Sequence, residues 1–348
     1  MTTTSPDSGF SARASDHFPA GTVEPGYVLT EALGTDPASV FASITDEDRG
    51  FWERARNFVQ NEVLPVIDGY WERADYPLHL VRRLGELDLL RDGVHVEGFP
   101  TMSRMAAGLV NMEISRGDGS VATMIAVQGG LALRSIAECG SAEQQERWLP
   151  AVAAGKEFAA FALTEPTHGS DAVALESTAT STDGGFLLSG EKKWIGNGSV
   201  GGVCVVWARG EDSQVHGYLV PQDSPGYSAT KIEGKLALRA IWQAHIRLEN
   251  VFVPQENVLP GARSFKDTAR VLLATRLGVA WSAVGHATAC YETAAQYARQ
   301  RLQFGRPLAA SQIVQERLAR MLSELATMQL MVVQMTRLDE EGALTPEQ

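Results

Sequence analysis

From Asp46 onward the apolar residues fall at helical spacing. Phe51, Ala55, Phe58, Val59 and Val63 recur at steps of three and four, which predicts an amphipathic helix, and Thr45 with Asp46 offers a cap for its first turn. Similar spacing predicts helices over about 78–87, 101–115, 120–139 and 142–153, and Ser141 followed by Gln144 reads as a capping box. From Glu157 to about Val253 the texture changes. FAAFAL, GFLLSGEKKWIG, GVCVVWAR, HGYLVP and HIRLENVFV are short apolar or alternating runs divided by Gly, Pro, Asp and Ser, the pattern of strands in a small sandwich or barrel. After Gly261 the helical period returns, from Phe265 to about Arg301 and, past a turn at FGRPL, from Gln312 to about Asp339. Before Thr45 no period is visible. The expected fold is therefore α+β and multidomain. Residues 1–45 form a disordered or extended arm, 46–156 an N-terminal helical domain, 157–260 a central β-sandwich or barrel, and 261–348 an incomplete C-terminal helical bundle.

Composition narrows the chemistry. The chain has 348 residues, 44% of them hydrophobic, enough for two or three cores. A net charge of −12 argues against a general nucleic-acid binder, because phosphate backbones are held by basic fields. Cys139, Cys204 and Cys290 lie far apart and share no CxxC or Cys/His spacing, so neither a disulfide framework nor a metal site is expected and a reducing cytoplasm fits best. The polar start, MTTTSPDSGFSARASDHF, has no apolar signal region, and no apolar run suggests a membrane span.

The chemistry-bearing stretches lie in the β region. FALTEPTHGSD, from Phe161, runs an apolar strand into a Thr-Glu-Pro turn and a Gly169-Ser170-Asp171 turn, whose backbone N–H groups can cradle a phosphate. About twenty residues later, GEKKWIGNG puts Trp194 into a glycine-flanked segment. Taken singly, an ordinary strand-to-loop turn and a core Trp explain each.

Together with VFVPQENVLPG and YARQRLQFGRPLAASQ, in this order and between two helical regions, the chain resembles the acyl-CoA dehydrogenase superfamily from about Asp46 to its end. Within it the chain looks most like the branch of glutaryl-CoA dehydrogenases and plant short-chain acyl-CoA oxidases. The resemblance implies FAD-dependent α,β-dehydrogenation of an acyl-CoA thioester, with the redox chemistry supplied by the flavin. It implies Phe161, Leu163 and Thr164 along the flavin ring, Gly169 and Ser170 near the pyrophosphate, and Trp194, Ile195 and Gly196 along the other flavin edge. It further implies that Arg301, Phe304 and Gln312 reach the FAD of a neighbouring subunit in a homodimer or homotetramer. Thr123, Ser170 and Arg276 would contact substrate, and either an electron-transferring flavoprotein or oxygen would accept the electrons.

Three positions depart from the family pattern. Gly196 stands where dehydrogenases usually carry a threonine, and its missing side chain is expected to open space beside the flavin. Ala122 stands where glutaryl-CoA dehydrogenases carry an arginine for the distal carboxylate, so a short, uncharged acyl chain is expected. The family's catalytic glutamate lies in a Tyr-Glu-Gly-Thr turn that this sequence does not reach, and the alternative base position holds Thr275, so no catalytic residue is assigned within the chain. Glu165 is expected to belong to the turn rather than to act as a base. The alternative is a non-catalytic relative that binds FAD or CoA, or assembles with a full-length partner.

Overall fold

The computed structural model describes residues 34–345 and 347–348; most of the expected N-terminal arm, 1–33, lies outside the described residues, as does Pro346. The described chain forms two compact units, one of Ile44–His286 with Val332–Gln348, the other of 34–43 with Ala287–Met331.

In the larger unit, α1 (Asp46–Phe58) begins where the Thr45 hydroxyl accepts from the Asp48 N–H at 3.1 Å, and it buries Phe51, Ala55 and Phe58. After α2 (Ile67–Arg73) and α3 (Leu78–Glu86) comes α4 (Arg104–Gly117), buried at every position from Met105 to Ser115. The next predicted helix is a composite: α5 (Gly119–Ile125), a π-helical stretch (Ala126–Leu133) and α6 (Arg134–Cys139). Residues 119–139 are long and apolar enough to cross a membrane, contrary to the sequence expectation, but 72% of that window is buried inside the protein, as suits a core helix. In α7 (Ala142–Ala153) the capping box of Ser141 and Gln144 is complete.

The sheet has seven strands: β1 (Ala159–Ala162), β2 (Thr178–Thr182), β3 (Gly185–Gly196), β4 (Val203–Arg209), β5 (Val215–Pro221), β6 (Tyr227–Lys231) and β7 (Gln243–Pro254). Their order is β1-β4-β2-β3-β7-β6, with β5 also on β4. Alternation along the inner strands separates two apolar layers. Phe161, Leu163, Val205 and Trp207 pack with the helical residues Leu133, Ile136, Leu149 and Val152, whereas Ala160, Ala162, Cys204 and Val206 pack with Leu188, Ile246 and Val251. Because β4 is buried on both faces it reads as one unbroken apolar run, VCVVWA. The polar strands β2 and β6 have no such signal.

Two long helices close the chain, α8 (Phe265–Gln300) and α9 (Gln312–Glu340). Within the larger unit, the buried Trp281 donates its Nε1–H to Thr336 Oγ1 at 2.9 Å, and the Glu340 carboxylate accepts from the Met105 N–H at 2.9 Å. In the smaller unit the Asp36 carboxylate accepts from the N–H groups of Val40 and Phe41, at 2.7 and 3.0 Å, and starts a 3-10 turn that buries both side chains. Gln329 Nε2 donates to Thr35 O at 3.1 Å. The part of the arm described here is therefore folded rather than extended, because Val40 and Phe41 supply apolar surface worth burying. The same unit contains a short hairpin, β8 (Leu302–Gln303) and β9 (Arg306–Pro307), turning at Phe304 and Gly305, both with positive φ.

Candidate active site

The two motifs of the β region are joined by a buried ion pair. Glu165, at the end of the β1 loop, is 4% exposed. Its Oε1 accepts from Lys192 Nζ at 2.9 Å, from the Ser177 N–H at 2.9 Å and from Ser177 Oγ at 2.6 Å, and its Oε2 accepts from the Glu176 N–H at 2.6 Å. Burial alone would raise this carboxyl, but Lys192 beside it and the donors around it outweigh burial and hold it down to about 2. Lys192 is fully buried, and burial pushes its ammonium down despite Glu165. A second link runs along the backbone, where the Lys193 N–H donates to Thr164 O at 2.8 Å, and Lys192 Nζ also donates to Leu163 O at 3.1 Å.

These contacts shape both walls. Glu165 ties down residues 176 and 177 and closes the base of the intervening loop, whose tip carries Gly169 and Ser170. Both are exposed, and among the described residues their N–H groups donate to nothing. On the other wall, β3 bulges. Lys192 pairs with Ile246 and Ile195 with Ala244, leaving one extra residue on β3 between them. Trp194 takes up that irregularity with φ of 64° and is 50% exposed, while Ile195 is buried. Asn197, also with positive φ, anchors the end of the strand from within the core: its Oδ1 accepts from Tyr76 OH at 2.6 Å and its Nδ2 donates to Ala159 O at 3.1 Å.

Gly196 differs from the expectation. The space of its missing side chain is occupied, since a Cβ there would lie 2.8 Å from Val127 Cγ2, on the π-helical stretch. The glycine admits a neighbouring methyl group rather than opening a void. Phe161 and Leu163 are both buried. Phe161 is 8% exposed, with its ring 5.9 Å from that of Trp207.

The remaining candidates are distributed. Thr123 lies on α5 and donates its hydroxyl back to Gly119 O at 2.8 Å. Arg276 is exposed on α8, and its neighbour Thr275 donates its hydroxyl to Leu272 O at 2.8 Å. In the smaller unit Arg301 and Gln312 are exposed, and Phe304, at the hairpin tip, is 100% exposed. Glu165, His168 and Glu176 bring ligand-type atoms within 4.8 Å of one another, but the donor set does not fit a metal ion, because the Glu165 oxygens are already taken by an ammonium and three other donors.

A flavin is a planar ring carrying a dianionic pyrophosphate. Exposed, unused N–H groups at Gly169 and Ser170 and a half-exposed indole on the linked bulge fit those two parts. Sequence reading missed the fully buried Lys192 and the half-buried Val127, which build this arrangement from behind the two motifs.

Three family models match consecutive stretches: the acyl-CoA dehydrogenase N-terminal domain at residues 45–156, the middle domain at 160–251 and the C-terminal domain at 265–348. The mitochondrial short-chain specific acyl-CoA dehydrogenase of Rattus norvegicus is 33% identical over 286 residues, covering 80% of this chain and 69% of that protein. A crystal structure of glutaryl-CoA dehydrogenase from Mycobacterium smegmatis superimposes with a TM-score of 0.86 at 38% identity, over 90% of this chain and 81% of that one. Another glutaryl-CoA dehydrogenase structure from that organism, in complex with FADH2, gives 0.86 at 33% identity with the same coverage. Three successive domain matches and a relative of this identity and coverage show that the chain belongs to the acyl-CoA dehydrogenase family.

Proposed function

We propose that this oxidoreductase binds FAD and dehydrogenates a short, uncharged acyl-CoA thioester to the trans-2-enoyl-CoA. The observation that carries the reading is the joining of the Thr164–Glu165 turn to the Lys192–Trp194 bulge, which holds an anion-binding turn and an exposed indole on one framework. When bound, FAD would accept the hydride from the β-carbon, and the α-proton would have to pass to a base that is not assigned among this chain's residues. The chain's own part is to hold the pyrophosphate at the N–H groups of Gly169 and Ser170, to back the ring with Trp194, and to exclude water by apolar packing.

One observation supports an uncharged acyl chain: Ala122 is buried and offers no cation to a distal carboxylate. Val127 supports a dehydrogenase rather than an oxidase, because its methyl fills the space beside Gly196 that oxygen would need. Exposed Arg301, Phe304 and Gln312 support contact with the FAD of a second subunit, and exposed Arg276 supports contact with a CoA phosphate.

The test is whether purified protein mixed with FAD keeps a flavin visible spectrum, near one flavin per chain, after gel filtration. A colourless protein overturns the reading.

A further inference from the structure

The loop tip that carries Gly169 and Ser170 has no support of its own. A Cβ built on Gly169 would meet no atom within 4 Å beyond its chain neighbours, and among the described residues neither N–H group of the pair donates to anything. The position of the tip is therefore set by its two arms. In the near arm the Glu165 N–H donates to His168 O at 3.0 Å, and Glu165 is itself fixed by Lys192. The far arm is a 3-10 turn, Ala172–Ala174, joined to the tip by the Ala174 N–H, which donates to Asp171 O at 3.1 Å.

Arg209, the last residue of β4, holds that far arm. Its Nη2 donates to Val173 O at 2.7 Å and to Leu175 O at 3.3 Å, while Nη1 donates to Ser213 O at 2.8 Å in the turn before β5. Its backbone N–H donates to Ser177 O at 2.8 Å and closes the loop onto the strand. Among the described residues the guanidinium bonds backbone carbonyls only. A planar fork of donors can bridge two loops in this way, which the single ammonium of a lysine cannot. Ala172 and Leu175 are buried, whereas Val173, nearer the tip than Leu175, is 50% exposed and is fixed through its carbonyl.

We infer that Arg209 is a positioning residue for the cofactor, fixing the far arm so that the N–H groups of Gly169 and Ser170 are set for a pyrophosphate before it arrives. It does not touch the tip and acts through Val173 and the 3-10 turn. Donors already fixed bind an anion without first losing conformational freedom. This inference rests on the FAD reading above.

The test has two measurements on the full chain, the first needing no flavin. Arg209→Met removes the fork, and Arg209→Lys keeps the charge without the bridge. In flavin-free Arg209→Met the bonded amides of Ala174, Leu175 and Glu176 should exchange hydrogen about tenfold faster, with the rest of the chain and the urea midpoint unchanged. FAD should bind about tenfold more weakly in a titration. Arg209→Lys should show the same local exchange and recover less than half of the loss in affinity. Unchanged exchange at those amides, or FAD binding as tight as in the unaltered protein, would overturn the inference. So would full recovery by Arg209→Lys, since charge alone would then suffice, and so would faster exchange spread over the whole chain, the mark of a merely structural role. An unaltered protein that takes up no FAD would overturn the FAD reading and the inference with it.

Discussion

Lys192 Nζ lies 2.9 Å from Glu165 Oε1, and neither side chain is more than a few per cent exposed. This pair fastens the strand-end turn to the bulged strand. Lys192→Met would strand a buried carboxylate and is expected to cost about 3–5 kcal/mol of stability, read by urea unfolding. Replacing both residues with apolar ones of similar size should cost less than Lys192→Met alone, since no charge is then left unpaired. A double variant less stable than the single one would contradict the assignment.

Acid should probe the same pair. The Glu165 carboxyl is held down to about 2 in the folded protein, against the ordinary glutamate value of 4.5. The unfolded chain therefore binds the proton first, and the stability Glu165 contributes is full above pH 4.5 and lost as pH falls from 4.5 towards 2. Glu165→Gln has no such proton to bind, so its urea midpoint should fall less over that window than that of the unaltered protein.

Gly196 and Val127 are coupled by space. Gly196→Thr places a branched side chain where Val127 Cγ2 stands and should destabilise by about 1–3 kcal/mol. Val127→Ala in the same chain should recover part of that loss, giving a non-zero coupling energy in a double-mutant cycle. Strict additivity would mean that the two side chains do not compete.

Phe304 offers the opposite case. It is fully exposed at the hairpin tip, so Phe304→Ala should leave the unfolding free energy within about 0.5 kcal/mol. Under the proposed sharing of FAD between subunits it should weaken FAD binding measurably in a titration. A variant that binds FAD as the unaltered protein does would remove Phe304 from the site.

Much of the architecture was legible because it rests on local signals. The caps at Thr45 and Ser141 and the alternation of GFLLSGEKKWIG depend on neighbours in sequence. Strands β2, TATST, and β6, YSATK, were not legible, because mostly polar strands show no apolar alternation. The π-helical stretch looks like ordinary helix from composition. In the site, the glycine-serine turn and Trp194 could be picked out by motif. The partners that give them meaning are contributed from afar: Lys192 is 27 residues from Glu165, and nothing in the local sequence announces that Val127 meets Gly196 or that Arg209 meets Val173. Long-range packing set by three or four elements at once leaves no mark in a short window.

The central claim is tested most directly by mixing FAD-loaded protein with butyryl-CoA and with glutaryl-CoA in the absence of oxygen and following the visible flavin band. A shift of the band on binding butyryl-CoA, with bleaching wherever a base takes the α-proton, and with glutaryl-CoA ineffective or needing far higher concentration, is the result predicted here. A band changed equally by glutaryl-CoA, or left unchanged by both, would contradict it.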